Sequence, residues 1–396
     1  MASLNLTQRW IMDLLRSCKK TVLASALAWM AMGAASQAQA APASPAAWPP
    51  QPALIAHRGA SALRPEHTLA AYQQAIDDGA DLIEADLVIT RDGVLVSRHE
   101  NAIAILKADG TLQEATTDVA DRPEFAPRRT TKTIDGKAVT GWFVEDFTLA
   151  ELKTLRARER IPQLRPASAA YDGRFEVPTL EEMIALARQQ GERTGRTIGL
   201  YIETKHPSYF QSIGQPLEKP LLELLARHGL NRADAPVFIQ SFEVDNLRAL
   251  HALTPVRLVQ LLTPNGSPFD QARAGVPLTT YAKMATPAGL AEIATYAQGV
   301  GPSKTMVIPT ADGGHGRPTS FVQDAHAAGL LVHVWTLRPE NAFLPAQLKS
   351  APAGNAAQRG NARADMDAFL RTGIDGVFTD DPAIGRAAID AMRIKP

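Results

Sequence analysis

The sequence contains a single cysteine, Cys18, and this scarcity excludes several kinds of chemistry. Cys18 precedes an apolar stretch near the amino terminus instead of following it, so it does not occupy a lipidation position. Because the segment that contains it is predicted to be removed, the mature chain has no thiol. A disulfide, a thiol nucleophile and a thiolate metal site are therefore excluded from the mature protein.

The chain also lacks an excess of charge of either sign. Lysine and arginine total 41, and aspartate and glutamate also total 41. Residues 1–40 carry four of the basic residues and one acidic residue, which leaves 37 basic and 40 acidic residues and a net charge near −3. This balance argues against broad nucleic-acid binding, and no nucleic-acid partner is predicted.

No apolar run is long enough to span a membrane comfortably, and the most apolar one belongs to a predicted signal peptide, residues 1–40. Four basic residues precede the apolar segment 21–35, and the sequence AQA at 38–40 is a cleavage site. We expect a periplasmic or secreted protein, without stable membrane insertion once the signal is removed. The alternative is an uncleaved anchor helix. Residues 41–52, rich in proline and alanine, read as an extended linker.

The glycine-rich fingerprint of dinucleotide-binding folds is absent, since the first predicted strand is followed by HRG at 57–59. About eight apolar strands alternate with amphipathic helices, the pattern of parallel strands that are buried on both faces. We predict an α/β fold, a (β/α)8 TIM barrel over residues 53–396 with a large insertion at about 101–177 after the second strand. An open doubly wound sheet is the alternative.

Three further elements of secondary structure are predicted from the local sequence pattern. A helix is expected to begin near Pro65 and run to Asp78. The insertion shows no clean alternation, and one helix is predicted in it at 148–158. A short strand is predicted at 305–308.

Pairs of charged residues end the second and third predicted strands. Glu84 and Asp86 are two residues apart, so they share one face of a strand, and so do Glu203 and Lys205. Adjacent carboxylates repel each other unless a cation lies between them. Active sites of (β/α)8 barrels lie at the carboxyl ends of the strands, which would bring these groups together. Three oxygen ligands favour Ca²⁺ or Mg²⁺ over Zn²⁺, and one such divalent cation is predicted.

The remaining candidates provide acid, base and anion-binding groups. His57 ends the first strand, and His99 follows the short turn and apolar segment after the second, so two imidazoles are available near neutral pH. Arg58 offers a bidentate fork for a phosphate, and Lys205 offers a point charge. A metal, two cations and an acid/base pair are what phosphodiester cleavage requires. One histidine would accept a proton from the attacking hydroxyl and the other would protonate the leaving alkoxide.

Several other polar residues are interpreted individually. Asp380 and Asp381 are read as caps of the last helix. Glu66 fits either a supporting role in the site or the first turn of a helix. Three further histidines are read as lying outside the site: His206, His315 and His333.

These motifs together resemble the glycerophosphodiester phosphodiesterases, and the exported bacterial branch that acts on deacylated phospholipids in particular. The resemblance covers roughly residues 53–390 and rests on HRG (57–59), PEHT (65–68), LIEADLVITRDGVLV (82–96), YIETK (201–205), VHVWT (332–336) and GVFTDDP (376–382). It implies a (β/α)8 barrel with an insertion after the second strand, metal ligands at Glu84, Asp86 and Glu203, catalytic histidines at His57 and His99, and phosphate contacts from Arg58 and Lys205. It also implies that Trp335 walls a glycerol pocket.

Two positions depart from the pattern common in that family. This chain has His67 where many members have asparagine, and Glu100 follows His99 where many have aspartate. Neither replaces a residue that the resemblance assigns to the chemistry.

The predicted reaction is hydrolysis of a small glycerophosphodiester to sn-glycerol 3-phosphate and an alcohol. Two other readings remain open. A phospholipase-like enzyme for intact lipid would carry an exposed apolar rim or a basic amphipathic helix, and neither is evident. A non-catalytic protein that binds phosphorylated polyols would lose one of the histidines or carboxylates, and none is missing.

Overall fold

Eight parallel strands close into a barrel in the computed structural model, which describes residues 48–273, 279–351 and 354–394. Closure follows because the first strand pairs with both the second and the last. The barrel strands, labelled in chain order, are β1 Ala53–Ala56, β2 Leu82–Ile89, β3 Gly199–Thr204, β4 Val237–Ser241, β5 Arg257–Leu262, β6 Gly299–Pro302, β7 Leu331–Leu337 and β8 Gly376–Thr379. The barrel prediction is confirmed, and the open doubly wound sheet is excluded.

The outside of the barrel is covered by helices, and longer ones such as Leu69–Asp77, Leu180–Thr194 and Glu218–Arg227 are amphipathic. The α-helices are Leu69–Asp77, Leu149–Leu152, Pro166–Ala169, Leu180–Thr194, Pro207–Ser212, Glu218–Arg227, Val244–Leu253, Phe269–Arg273, Tyr281–Met284, Pro287–Ile293, Lys304–Val307, Phe321–Ala327, Ala362–Leu370 and Pro382–Ile394. Short 3₁₀ helices are Val119–Asp121, Pro123–Arg128, Val144–Asp146, Asn341–Phe343 and Ala346–Leu348.

The first helix begins at Leu69 and not near Pro65 as predicted. The hydroxyl of Thr68 accepts a hydrogen bond from the amide of Ala71 at 3.1 Å, which caps the helix and sets its start. Glu66 and His67 are thereby left outside the helix, where their side chains contact residues of the barrel mouth.

The insertion contains a four-stranded antiparallel sheet, which the sequence pattern did not predict. Its strands, in spatial order, are Leu112–Ala115, Ala102–Leu106, Lys137–Phe143 and Thr130–Ile134. The two outer strands, Leu112–Ala115 and Thr130–Ile134, bury only Ile134, so no strong apolar alternation marks them. The short strand Leu95–Ser97 precedes this sheet and pairs antiparallel with β2.

Two predicted elements of the chain differ in the structure. The helix expected at 148–158 spans only Leu149–Leu152, because the chain beyond it turns so that Ala157 bridges to Thr117. The strand expected at 305–308 is a helix, and β6 lies just before it. The glycines of β6 hide its pattern, since a Cβ at Gly301 would lie 2.6 Å from a side-chain atom of Leu261. The small hairpin Thr310–Ala311 and Gly314–His315 lies beyond that helix.

Strict alternation along the strands decides which side chains fill the barrel. Leu82 of β2 packs inside the barrel with Tyr201 and Phe238, whereas Ile83 and Leu200 pack outside against the helices. Since side chains alternate, the residues two and four positions after an inward residue also face the interior. The last inward position of each strand therefore lies at the carboxyl-end mouth.

The other end of the barrel is closed by Trp48. Its ring lies 5.6 Å from that of Phe238, and the Arg257 guanidinium lies 5.1 Å from the Trp48 ring. The final part of the predicted linker is therefore packed against the barrel. The predicted signal peptide and residues 41–47 lie outside the described residues. No helix in the described part of the chain is long and apolar enough to cross a membrane.

His333 of β7 lies inside the barrel and makes folding sensitive to pH. Its Nδ1 is hydrogen-bonded to the Tyr201 hydroxyl at 2.7 Å, and burial lowers the pKa of His333 to about 4. In the unfolded chain, His333 binds a proton once the pH falls below its ordinary pKa. In the folded chain, it does so only near pH 4. Folding stability is lost as the pH falls through this window, by about 2 kcal/mol at pH 5 from this group.

We therefore expect His333→Asn to lose less stability than the wild type between pH 7 and pH 5. Urea unfolding at both pH values measures the difference. His251→Asn, at an exposed position of helix Val244–Leu253, is the matched control and should behave as the wild type does. Equal pH dependence in wild type and His333→Asn would contradict this explanation.

Candidate active site

Three buried carboxylates meet at the barrel mouth. Asp86 of β2 lies in register with Glu203 of β3, and Glu84 is the preceding inward residue of β2. One oxygen from each of the three lies within 4.8 Å of the others, and all three side chains are buried. Burial and the charges of Asp86 and Glu203 raise the pKa of Glu84 well above its ordinary value. Burial also raises the pKa of Glu203 to about 7, although Lys205 opposes the shift.

Neighbouring groups hold the carboxylates Glu84 and Asp86 in place. Glu84 accepts hydrogen bonds from the backbone amide of Arg58 at 2.9 Å and from the Gln240 side chain at 2.8 Å. Asp86 Oδ2 is 2.8 Å from His67 Nε2. Its other oxygen, Oδ1, is buried and has no hydrogen-bond partner among the described residues. Three oriented carboxylates with an unsatisfied oxygen match the donor set of a hard divalent cation.

The two histidines predicted to act in catalysis line one small cavity at the mouth, of about 70 Å³. Burial, together with the charge of Arg58, lowers the pKa of His57 to about 4. Burial, Arg58 and Lys205 lower the pKa of His99 to about 3, although its side chain is 27% exposed. Both imidazoles are therefore neutral at pH 7 in the free protein.

The predicted substrate-binding residues border the same cavity. Lys205 Nζ donates to Glu203 at 2.8 Å. Trp335 donates its indole N–H to the carbonyl of Gly301 at 2.7 Å, which fixes the ring at the cavity wall. Arg58 lines the cavity as well, so seven of the eight predicted site residues border it. The eighth, Asp86, belongs to the adjoining carboxylate cluster.

Arg58 is placed by a strained turn. Its φ is +58°, and Gly59 follows with a φ of +83°. A Cβ at Gly59 would lie 2.6 Å from the backbone of Ala71, so the third residue of HRG must be glycine. Glu66 accepts from Arg58 Nη1 at 3.0 Å and from Arg160 Nε at 3.1 Å. Glu66 therefore has a supporting role in the site, which is one of the two roles that the sequence left open for it.

Asp380 does not cap the last helix, so the capping role predicted for it is wrong. Its Oδ1 lies 2.5 Å from His57 Nδ1, and its other oxygen accepts from Arg165 of the insertion. Although burial raises its pKa, Arg165 and Arg338 hold the pKa of Asp380 well below its ordinary value, so it remains ionised. Asp381 is the cap, since it accepts from the amide of Ile384 at 3.1 Å. The sequence did contain a signal for the position of Asp380. Side chains alternate along a strand, and Asp380 lies two residues after an inward phenylalanine of β8.

His206 also lies nearer the site than predicted. It joins Glu100 at 2.7 Å to Asp135 of the insertion at 2.6 Å. Burial lowers its pKa, but hydrogen bonds to the two carboxylates outweigh this effect and raise the pKa to about 9. Glu100 also lies 3.1 Å from His99 Nδ1, so His206 orders the surroundings of that imidazole. His315 contacts Asp365 outside the cavity, as predicted.

This fold and this mouth define a class of protein, a (β/α)8-barrel enzyme with paired histidines beside a carboxylate cluster. The model of the glycerophosphoryl diester phosphodiesterase family matches residues 57–384. The chain therefore belongs to this family of phosphoric diester hydrolases.

Individual relatives agree with the family match. The chain is 33% identical over 343 residues to a glycerophosphodiester phosphodiesterase of Arabidopsis thaliana, covering 83% of this chain and 84% of that protein. It is 29% identical to a glycerophosphodiester phosphodiesterase of Haemophilus influenzae, covering 84% and 88%. The fold is similar, with a TM-score of 0.52 and 21% identity, to an Oleispira antarctica phosphodiesterase solved in complex with the product sn-glycerol-3-phosphate, covering 86% of this chain and 97% of that one.

Proposed function

We propose that this chain hydrolyses glycerophosphodiesters to sn-glycerol 3-phosphate and an alcohol, with His57 and His99 as the acid/base pair. The observation that carries the proposal is that two imidazoles, two cations and the carboxylate cluster border one cavity. The Oleispira antarctica relative binds the same product. The small size of the cavity suits a glycerol moiety better than an acylated one.

Glu84, Asp86 and Glu203 would hold one divalent cation, Ca²⁺ or Mg²⁺. A cation held there would supply Lewis-acid polarisation of a phosphoryl oxygen and would offset charge that gathers in the transition state. Arg58 and Lys205 contribute fixed positive charge toward the non-bridging oxygens, and Trp335 covers the glycerol.

The proton transfers fall to the histidines. Asp380 binds His57 Nδ1, which leaves Nε2 of this ring for the substrate and stabilises the imidazolium once it forms. Both imidazoles are neutral in the free protein, and an anionic phosphodiester between them favours protonation of one. Substrate binding would thereby create the acid while the other ring remains a base. We expect kcat to follow a bell-shaped pH profile that reports the pair in the complex.

Export to the periplasm or outside the cell is part of the proposal. It rests on the charged segment, the apolar run and the cleavage site within residues 1–40. The amino-terminal sequence of active protein that is isolated from the expressing cell should begin near Ala41, and a start at Met1 would contradict export by cleavage.

Product release distinguishes the three readings of the site. Glycerophosphocholine should yield sn-glycerol 3-phosphate, and a chelator should abolish the reaction until Ca²⁺ or Mg²⁺ is restored. Turnover of phosphatidylcholine at a similar rate would support the lipase reading. Binding of either diester without release of product would support the non-catalytic reading.

A further inference from the structure

Arg165 is a buried residue of the insertion whose side chain reaches the ends of three barrel strands. It lies directly before the helix Pro166–Ala169. Each nitrogen of its guanidinium donates to a different segment: Nε to Glu340 beyond β7 at 2.7 Å, Nη1 to the carbonyl of Ser61 beyond β1 at 2.9 Å, and Nη2 to Asp380 directly after β8. One side chain of the insertion therefore ties together three parts of the barrel mouth.

Asp380 requires a counter-charge that stays constant during the reaction. It is buried, and a buried carboxylate needs a cation and hydrogen-bond donors. His57 cannot be this counter-charge, because a histidine that transfers protons is neutral in part of the cycle. Arg165 is always charged and donates to Oδ2 of Asp380, which leaves Oδ1 for the imidazole. Arg338 Nε also lies 3.1 Å from Oδ2, but it forms no hydrogen bond among the described residues.

Arg165 also fixes the main chain of His57. The hydroxyl of Ser61 donates to the carbonyl of His57 at 2.9 Å, and the carbonyl of Ser61 accepts from Arg165. The same guanidinium therefore holds the ring of His57 through Asp380 and its backbone through Ser61. An imidazole that is held at both points has little freedom to turn away from the cavity.

We propose that Arg165 is a positioning residue for His57, and that through it the insertion completes the catalytic arrangement of the barrel. This inference rests on the proposed function and gives the insertion a part in it. Arg165 is not among the residues that line the small cavity with the two histidines, so it acts on the reaction only through the groups that it holds.

The choice of variant follows from the contacts of the guanidinium. Arg165→Ala would leave the carboxylates of Glu340 and Asp380 buried without their shared cation, which strongly destabilises a fold. Arg165→Lys keeps the positive charge. An ammonium carries all of its donors on one atom, however, so this variant cannot preserve contacts that three separate nitrogens make. Arg165→Lys therefore tests the geometry of the contacts without removing the charge.

Arg165→Lys should lower kcat on glycerophosphocholine by at least about tenfold, because small displacements of a catalytic group are costly. KM should stay close to the wild-type value. Metal should still stabilise the variant in thermal unfolding, since the guanidinium binds none of the three carboxylates of the cluster. Arg128→Lys is the matched control, because Arg128 also belongs to the insertion and binds Glu151 through two nitrogens. It should keep the wild-type kcat, and an equal loss in both variants would overturn the inference.

A double-variant cycle tests whether Arg165 acts through His57. If it does, adding Arg165→Lys to His57→Ala should lower kcat no further, because the group that Arg165 positions is already absent. A further loss as large as that of Arg165→Lys alone would show that Arg165 acts by another route, and the inference would be wrong.

The outcomes separate this inference from the proposed function. If the wild type releases no sn-glycerol 3-phosphate from glycerophosphocholine, the proposed function fails. If the wild type releases it and Arg165→Lys retains the wild-type kcat, the phosphodiesterase assignment stands and the positioning role of Arg165 is wrong.

Discussion

Replacing His57 or His99 with alanine is expected to lower kcat on glycerophosphocholine by about 10²–10⁴-fold, with fold and metal binding retained. The leaving alkoxide has a high pKa, so it requires a proton as the P–O bond breaks, and the nucleophile must lose one. Both rings border the same cavity beside the carboxylates. Because the two act as a unit, the double variant should lose far less than the product of the single losses.

A substrate that releases p-nitrophenol assigns the two roles. This leaving group departs without protonation, so the variant that lacks the general acid should be largely rescued, and the variant that lacks the base should not. Rescue of neither variant, or near wild-type turnover of glycerophosphocholine by either one, would show that the two-histidine mechanism is wrong.

Two adjacent aspartates provide a matched test of how His57 is positioned. Asp380→Asn removes the charge beside His57 Nδ1, so kcat should fall toward the His57→Ala value. Asp381→Asn keeps a side-chain acceptor for the amide of Ile384 and should leave kcat unchanged. Equal kcat values in the two variants would contradict a positioning role for Asp380.

Neutralising the carboxylate cluster is expected to abolish metal binding and activity together. Without a cation, burial and the neighbouring charges raise the pKa of Glu84 well above its ordinary value, so Glu84→Gln resembles the metal-free state and should still fold. The wild type should gain about 2.7 kcal/mol in unfolding free energy at a metal concentration 100 times the dissociation constant. Glu84→Gln, Asp86→Asn and Glu203→Gln should gain almost none.

Thermal unfolding with chelator and with Ca²⁺ or Mg²⁺ measures this gain independently of turnover. Glu159→Gln is the matched control, because Glu159 is also buried and burial raises its pKa to about 7, but it lies in the insertion outside the cluster. It should respond to metal as the wild type does. If Glu84→Gln is stabilised by metal as strongly as the wild type, the metal site lies elsewhere.

The local pattern of the chain was enough to predict the barrel and the position of its mouth. Glu84 and Asp86 share a face because side chains alternate in any strand, whatever surrounds them. The same rule applies to Glu203 and Lys205. Parallel strands bring their carboxyl ends to one side of the barrel, so residues at several strand ends could be assigned to one site.

The insertion and β6 were less predictable, for physical reasons. The two outer strands of the insertion sheet are mostly exposed, so their pairing carries little apolar signal. In β6, close packing against β5 selects glycine, which weakens the usual β-strand pattern.

By itself, the sequence determined the fold class and most of the charged residues that line the barrel mouth, because both follow from local alternation and residue type. Only the tertiary structure decided how these residues are supported. Asp380 lies 323 positions from His57, and its sequence context fits a helix cap equally well. The contact of His67 with Asp86 likewise arises only when the barrel closes. Such contacts join distant segments, and local propensity carries no information about them.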